Sequence, residues 1–193
     1  MNLLKPLFIS KVRVKLLEIL WLNPGEKYYV RELVRLTGEE INAVRRELNH
    51  LNRHHLVERE KRSNRVYFWC NRQHALFEPI LNMVAKTAGL GQQIIKHRNK
   101  LGRLQIVMFN TKFLLNQTSD EGEIDILFVG QVILPEINAL IKSYENQLGR
   151  EINYTVFDRE EFNFRKSRND PFLSKLLMVP RTMIIGKQID LVK

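Results

Sequence analysis

The sequence predicts an α+β protein in two parts joined by a helical connector. Three observations lead there. The first 55 residues repeat their apolar positions at helical spacing and are followed by a short hairpin pattern. The second half runs strand, loop, strand, helix, strand. Charge divides the same way: residues 1–100 hold 19 Lys and Arg against 9 Asp and Glu, whereas residues 101–193 hold 12 against 12, so the formal +10 lies in the first half. The expected boundaries are 1–74 for the first domain, 75–100 for the connector and 101–193 for the second domain.

In "KPLFISKVRVKLLEILWLNPG", Leu7, Val14, Leu17 and Leu20 fall at helical spacing, and Ile9, Leu16 and Trp21 widen the apolar face. Asn23-Pro24-Gly25 ends the helix. "YYVRELVRLTG" predicts a second, short helix with Leu33, Val34 and Leu36 apolar and Gly38 supplying the left-handed turn beyond it. A third follows at once in "EEINAVRRELNHLNRHH". Ile41, Val44, Leu48 and Leu51 step by three and four and face inward, which turns Asn42, Arg45, Arg46, Asn49, His50 and Arg53 outward. Two short helices around a tight Gly turn, the second with an Arg/Asn face, make a helix-turn-helix. Arg reads guanine and Asn reads adenine in the major groove. "LVEREKRSNRVYFWCN" then supplies two strands, Leu56–Arg59 and Val66–Trp69, around a basic turn containing Arg62, Asn64 and Arg65, a wing able to reach phosphate or the minor groove.

The phrase "YVRELVRLTGEEINAVRRELNHLNRHHLVERE" and the wing after it resemble the winged-helix transcriptional regulators of the arsenic-repressor-like type. The resemblance implies a recognition helix in the major groove of double-stranded DNA and a homodimer on paired half-sites. The structural alternative is a solvated basic face or a protein-binding module. His50, His54 and His55 also invite a metal, but the sequence places no second cluster of ligands at metal-site spacing.

"QHALFEPILNMVAKTAGLGQQIIKHRNKLGRL" reads as two helical pieces broken near Gly89-Leu90-Gly91. Leu76, Ile80, Met83 and Val84 form one apolar face, and Leu90, Ile94 and Ile95 another, suited to dimerisation or domain docking. Beyond it, "LQIVMF", "EIDILFVG" and "EINYTVFD" are strands, and "LPEINALIKSYENQLG" is a helix. Glu123 and Asp125 alternate with Ile124 and Ile126, so both carboxylates are expected on one sheet face, where such a pair can hold Mg²⁺ against phosphates.

This half resembles the minimal nucleotidyltransferases of the DNA polymerase beta superfamily, whose pattern is a strand ending in Gly-Ser, a loop, and Asp-hydrophobic-Asp. Here Asn110-Thr111 follow Phe109 where Gly-Ser would stand. Glu123-Ile124-Asp125 stand for the acid pair, and 11 residues separate Thr111 from Glu123. The third carboxylate aligns with Asn153, with Glu151 two residues earlier. Asn110 puts a side chain where a triphosphate must approach backbone N–H groups, so the resemblance implies a degenerate domain with Asn110, Thr111, Glu123, Asp125 and Asn153 as vestigial positions.

Together the two resemblances imply a DNA-binding transcriptional regulator. Its second domain would serve dimerisation, partner contact or ligand sensing, with no cofactor or resident metal. The alternative is an active nucleotidyltransferase acting on protein or RNA, as in a toxin–antitoxin pair, with Mg²⁺ at Glu123 and Asp125 and a nucleoside triphosphate. The sequence has no apolar run of membrane-spanning length and no uninterrupted signal core, which predicts a soluble, cytoplasmic protein. Cys70, the single cysteine, sits in an apolar strand-like run and reads as a small buried hydrophobe.

Overall fold

A computed structural model describes residues 8–118 and 122–192. The fold is α+β, and the chain divides into two compact units, Met1–Gly89 and Leu90–Lys193. No described helix is long and apolar enough to cross a membrane.

In the first unit, α1 (Lys11–Leu22) begins at Ser10, whose hydroxyl accepts from the Arg13 amide at 3.2 Å. It buries Val14, Leu16, Leu17, Leu20 and Trp21. The expected apolar face is narrower on one side, because Ile9 precedes the helix and is fully exposed; Leu7 lies outside the described residues. Tyr28–Tyr29 form a two-residue strand, β1, so α2 (Val30–Thr37) is shorter than its sequence pattern. Leu36 points to solvent, and Leu33 carries the buried contact of α2. Gly38 caps α2 with φ +64°, its N–H donating to the Val34 carbonyl.

Helix α3 (Ile41–Arg53) buries Val44, Leu48 and Leu51. It also buries Glu47, whose carboxylate meets Arg13 Nε of α1 at 2.9 Å, an ion pair between two packed helices that apolar periodicity could not reveal. Strands β2 (Val57–Arg62) and β3 (Arg65–Cys70) pair antiparallel, with β1 on the far side of β3, giving the order β1-β3-β2. The wing strands run longer than the sequence suggested, and only Ser63-Asn64 turn, with Ser63 at φ +53°. Helix α4 (Phe77–Thr87) closes the unit through Phe77, Leu81, Val84 and Ala85, and Trp21 Nε1 donates to the Phe77 carbonyl at 3.0 Å. Leu76, expected on that face, precedes α4 and is exposed. This is a winged helix-turn-helix arrangement in element order and strand pairing.

The second unit opens with α5 (Gly89–Leu101), separated from α4 by Ala88. Its sheet has the order β6-β5-β4-β7. Strand β4 (Gly102–Asn110) is antiparallel to β5 (Ile126–Val132) and to β7 (Arg181–Ile185), and β5 is parallel to β6 (Tyr154–Phe157), so the sheet is mixed. Ile106, Met108, Leu127, Val129 and Phe157 share one sheet face. They pack with Phe162 of α8 (Arg159–Ser167), Leu173 and Leu176 of α9 (Pro171–Met178) and Leu191 of α10 (Ile189–Val192). The one-turn α6 (Thr111–Leu114) follows β4, and α7 (Leu134–Leu148) links β5 to β6. Gly130 is required where β5 meets β4: at φ +140°, a Cβ there would lie 2.3 Å from the Arg103 carbonyl oxygen.

Candidate functional site

The outer face of α3 exposes Asn42, Arg45, Arg46, Asn49 and Arg53 to solvent, with His50 half-buried. Glu40 precedes it as the N-cap, its carboxylate accepting from the amides of Asn42 (2.8 Å) and Ala43 (3.0 Å). Those bonds, first the one from Asn42, and the nearby Arg46 and Arg45 hold its pKa below the usual carboxylate range. Glu40 therefore takes the helix-terminal charge role, and the arginines start one turn further along.

Arg45 also lines a recess of about 410 Å³ with Arg31, Asn64, Arg65, Tyr29 and Val66. Three arginines from three elements converge there with no acidic residue in the lining. Tyr29 and Val30 start α2, whose first turn has no side-chain cap, so its N–H groups add to the positive potential. Arg65 lies over the Tyr29 ring at 4.9 Å, and Tyr29 meets Tyr67 edge-on at 6.1 Å. The Tyr29 ring, braced by Tyr67, orients the wing arginine before any ligand arrives.

Arg62 is held differently. Its guanidinium pairs with Glu60 at 2.8 Å, and Lys27 reaches the same carboxylate at 3.3 Å while sitting over the Trp69 ring. The wing thus divides into Arg65, facing the recess, and Arg62, engaged by an acid that sequence reading left out. Arg31 was missed too, because its place beside the wing depends on β1 pairing with β3.

The His50 and His54 rings lie 4.8 Å apart, as i and i+4 on a helix should. The described residues contain no group of three or more His, Cys, Asp or Glu able to hold a metal ion.

In the second unit, the residues expected as an acid pair on one strand stand elsewhere. Strand β5 starts at Ile126, so Glu123 and Asp125 precede it in irregular backbone and do not alternate on a sheet face. Lys112 Nζ meets both Glu123 oxygens, at 3.0 and 2.9 Å. Asp125 has no exposure at all. Its Oδ2 accepts from the Asn153 amide at 3.0 Å and faces Arg150 Nη1 at 3.7 Å. Its backbone is tied as well, donating to the Asn153 carbonyl at 2.7 Å and accepting from the Asn110 amide at 2.8 Å.

The turn at the Gly-Ser position is equally committed. Asn110 is buried and caps α6, its Oδ1 accepting from the Lys112 amide at 3.0 Å. The Thr111 amide donates to the Pro180 carbonyl at 2.9 Å. Two N–H groups that a phosphate would need are thereby used inside the protein. The adjoining recess, lined by Asn110, Glu123, Ile124, Phe172 and Lys175 among others, has about 30 Å³, the room of a water molecule. Asn153 is exposed and neutral, and Glu151 is exposed beside it. A divalent cation needs several converging oxygens with open coordination positions. Lys112 and Arg150 stand against these carboxylates instead, so the donor set does not fit one.

No protein-family model matches the chain, and no curated protein matches it. A solved structure, reduced HlyU from Vibrio cholerae N16961, aligns at 18% identity over 40% of this chain and 76% of its own, with a TM-score of 0.34, a likeness too slight to bear on function.

Proposed function

We propose that the protein is a sequence-specific double-stranded-DNA-binding transcriptional regulator. The observation that carries this reading is the continuity between the exposed Asn/Arg face of α3 and the recess where Arg45, Arg31 and Arg65 meet. A convex helix face with Asn42, Arg45, Arg46 and Asn49 matches the width and hydrogen-bonding pattern of the major groove. The recess beside it has the charge to hold backbone phosphate, which fixes register without reading sequence. His50, Arg53 and Asn64 flank these contacts, and Arg62 contributes less because Glu60 already neutralises it. Two such units in a homodimer would read paired half-sites.

The second unit serves this regulator without nucleotidyl transfer, as a platform for self-association, a protein partner or a ligand. Support comes from the occupied amides of Thr111 and Lys112 and from the two cations set against Glu123 and Asp125.

The test is a fluorescence-anisotropy titration of the full chain on duplexes from its own upstream region, at two salt concentrations, with and without ATP and Mg²⁺. Saturable, sequence-selective binding that weakens with salt and on joint Arg45→Ala and Arg46→Ala substitution is expected. Binding indifferent to salt and to both substitutions would overturn the regulator reading, and label transfer from ATP abolished by Asp125→Asn would establish the enzyme in its place.

A further inference from the structure

The exposed polar residues of α3 do not share one direction. Val44, Leu48 and Leu51 mark the side of α3 that meets the core. Counting about 100° per residue from them, Asn42, Arg46, Asn49 and Arg53 fall within roughly 50° of the line pointing straight away from the core, whereas Arg45 lies roughly 90° off it. Half-buried His50 stands on the opposite shoulder.

Two contacts fix which way Arg45 leans. Asn52, two turns further along and on the same side, donates from Nδ2 to the Val57 carbonyl of β2 at 2.9 Å. Glu47, on the other side, meets Arg13 of α1. Arg45 is thus turned toward the wing, where it lines the recess with Asn64, Arg65, Tyr29 and Arg31. Its chain neighbour Arg46 is turned about 100° away, out of the recess and onto the outward stripe.

The dimensions of duplex DNA make that difference chemical. A helix with its side chains is about 10–12 Å across and the major groove about 12 Å wide, so a recognition helix fills the groove. Side chains pointing straight out meet the base edges on the groove floor, and those on a flank meet the sugar–phosphate wall. Glu40 spends its carboxylate on the Asn42 and Ala43 amides and reaches the two arginines only through space, so both guanidinium groups keep their donors for DNA.

We infer that Arg46 reads a guanine and determines sequence preference, while Arg45 holds backbone phosphate and determines affinity alone. This division rests on the DNA-binding reading of the first unit and refines the part of Arg45 in it. Arg46 presents a planar fork that matches guanine O6 and N7. Asn42 and Asn49, on the same stripe on either side of it, match adenine N6 and N7. Arg53 belongs to the last turn, beyond the N-terminal part of a recognition helix that meets base edges. From Asn42 to Asn49 the helix rises about 10 Å, or about three base-pair steps of about 3.4 Å. The half-site therefore holds one G·C pair between two A·T pairs, spread over about four base pairs.

The experiment selects binding sites from a randomised duplex library with the full-length wild type and with its Arg45→Ala, Arg46→Ala and Arg46→Gln variants, then measures anisotropy on the selected site and on a scrambled one at several salt concentrations. Circular dichroism and thermal melting, expected unchanged because both residues are exposed, check that the variants fold. Arg46→Ala should lose the guanine preference at one position per half-site and bind the selected site roughly 10- to 100-fold more weakly. Arg46→Gln should move that position toward adenine, since Gln matches adenine as Asn does. Arg45→Ala should keep the selected motif, weaken binding to both duplexes by the same factor and lower the salt slope by about 1. Arg45→Lys, which keeps the charge, should restore most of that affinity. A motif that Arg46→Ala leaves unchanged, or a base preference lost with Arg45→Ala, overturns the assignment while the regulator reading stands. A wild type that enriches no motif overturns both.

Discussion

Lys112 places its ammonium against both carboxylate oxygens of Glu123, at 3.0 and 2.9 Å. That pair sits where the nucleotidyltransferase pattern would hold a metal, and it satisfies the acid internally. Calorimetric titration with Mn²⁺ or with Mg²⁺ and ATP is therefore expected to give no binding tighter than about 1 mM, and melting temperature should be the same in EDTA and in Mg²⁺. A saturable heat in the micromolar range would show that Lys112 yields to a metal.

Asp125 and Arg150 act as a structural tie. Asp125 joins the ends of β4 and β5 to the start of β6 through Asn110 and Asn153, and its carboxylate is wholly buried. Replacement by Ala leaves the Asn153 amide without its acceptor and Arg150 facing no charge. Such a loss costs about 2–3 kcal/mol, read as a lower urea midpoint, whereas exposed Glu151→Ala should change it by less than about 0.5 kcal/mol. Equal effects would show that Asp125 is not a tie.

The wing makes a prediction of opposite sign for two neighbouring residues. Arg65→Ala removes a recess arginine and should weaken DNA binding by roughly tenfold. Glu60→Gln releases Arg62 and Lys27 from their shared acid and should strengthen binding by about two- to fivefold, more at low salt. Arg62 itself has its charge engaged by the hydrogen bond it donates to Glu60, so Arg62→Ala should cost less than Arg65→Ala. Anisotropy titrations on one duplex rank all three, and a larger loss for Arg62→Ala would reverse the assignment of roles within the wing.

Much of the first unit was legible because its signals are local. Periodicity in α3, the Gly38 cap and the β-rich runs around Ser63-Asn64 each act over a few residues. What the sequence hid depends on pairing between distant segments. Tyr28–Tyr29 join a strand because β3 offers them an edge, and this is what brings Arg31 to the recess. Glu47 is buried because Arg13, 34 residues away, meets it. Alternation in "EIDILFVG" suggested a strand from its first residue, but the carboxylates of Glu123 and Asp125 find Lys112 and Arg150 before the ladder begins. With the division after Gly89 the second unit holds 15 Lys and Arg against 12 Asp and Glu, an excess that a boundary at residue 100 hid, because α5 lies in that unit from Leu90 on.

Two acids of the first unit make its stability fall at high pH. Burial pushes the Cys70 thiol from its ordinary value of 9.0 up to about 11, and burial, followed by Glu26 and Glu32, pushes Tyr28 from 10.0 to about 12. Both groups are neutral when protonated, and the folded protein holds those protons more tightly than the unfolded chain does. Their contribution is thus complete below pH 9, where neither state has ionised. It declines as pH rises past 9, when the unfolded thiol loses its proton while the folded one keeps it, and it is exhausted above about 12. The urea midpoint should be flat from pH 7 to 8.5 and fall between pH 9 and 11. Cys70→Ala should flatten the first part of that fall, since alanine removes the titrating group and preserves most of the packing. The same burial, with the thiol directed at the Pro24 carbonyl at 3.4 Å, predicts no reaction of Cys70 with a thiol reagent at pH 8 until urea unfolds the unit. Rapid labelling of the native protein, or an alkaline fall that Cys70→Ala leaves unchanged, would place the titrating group elsewhere.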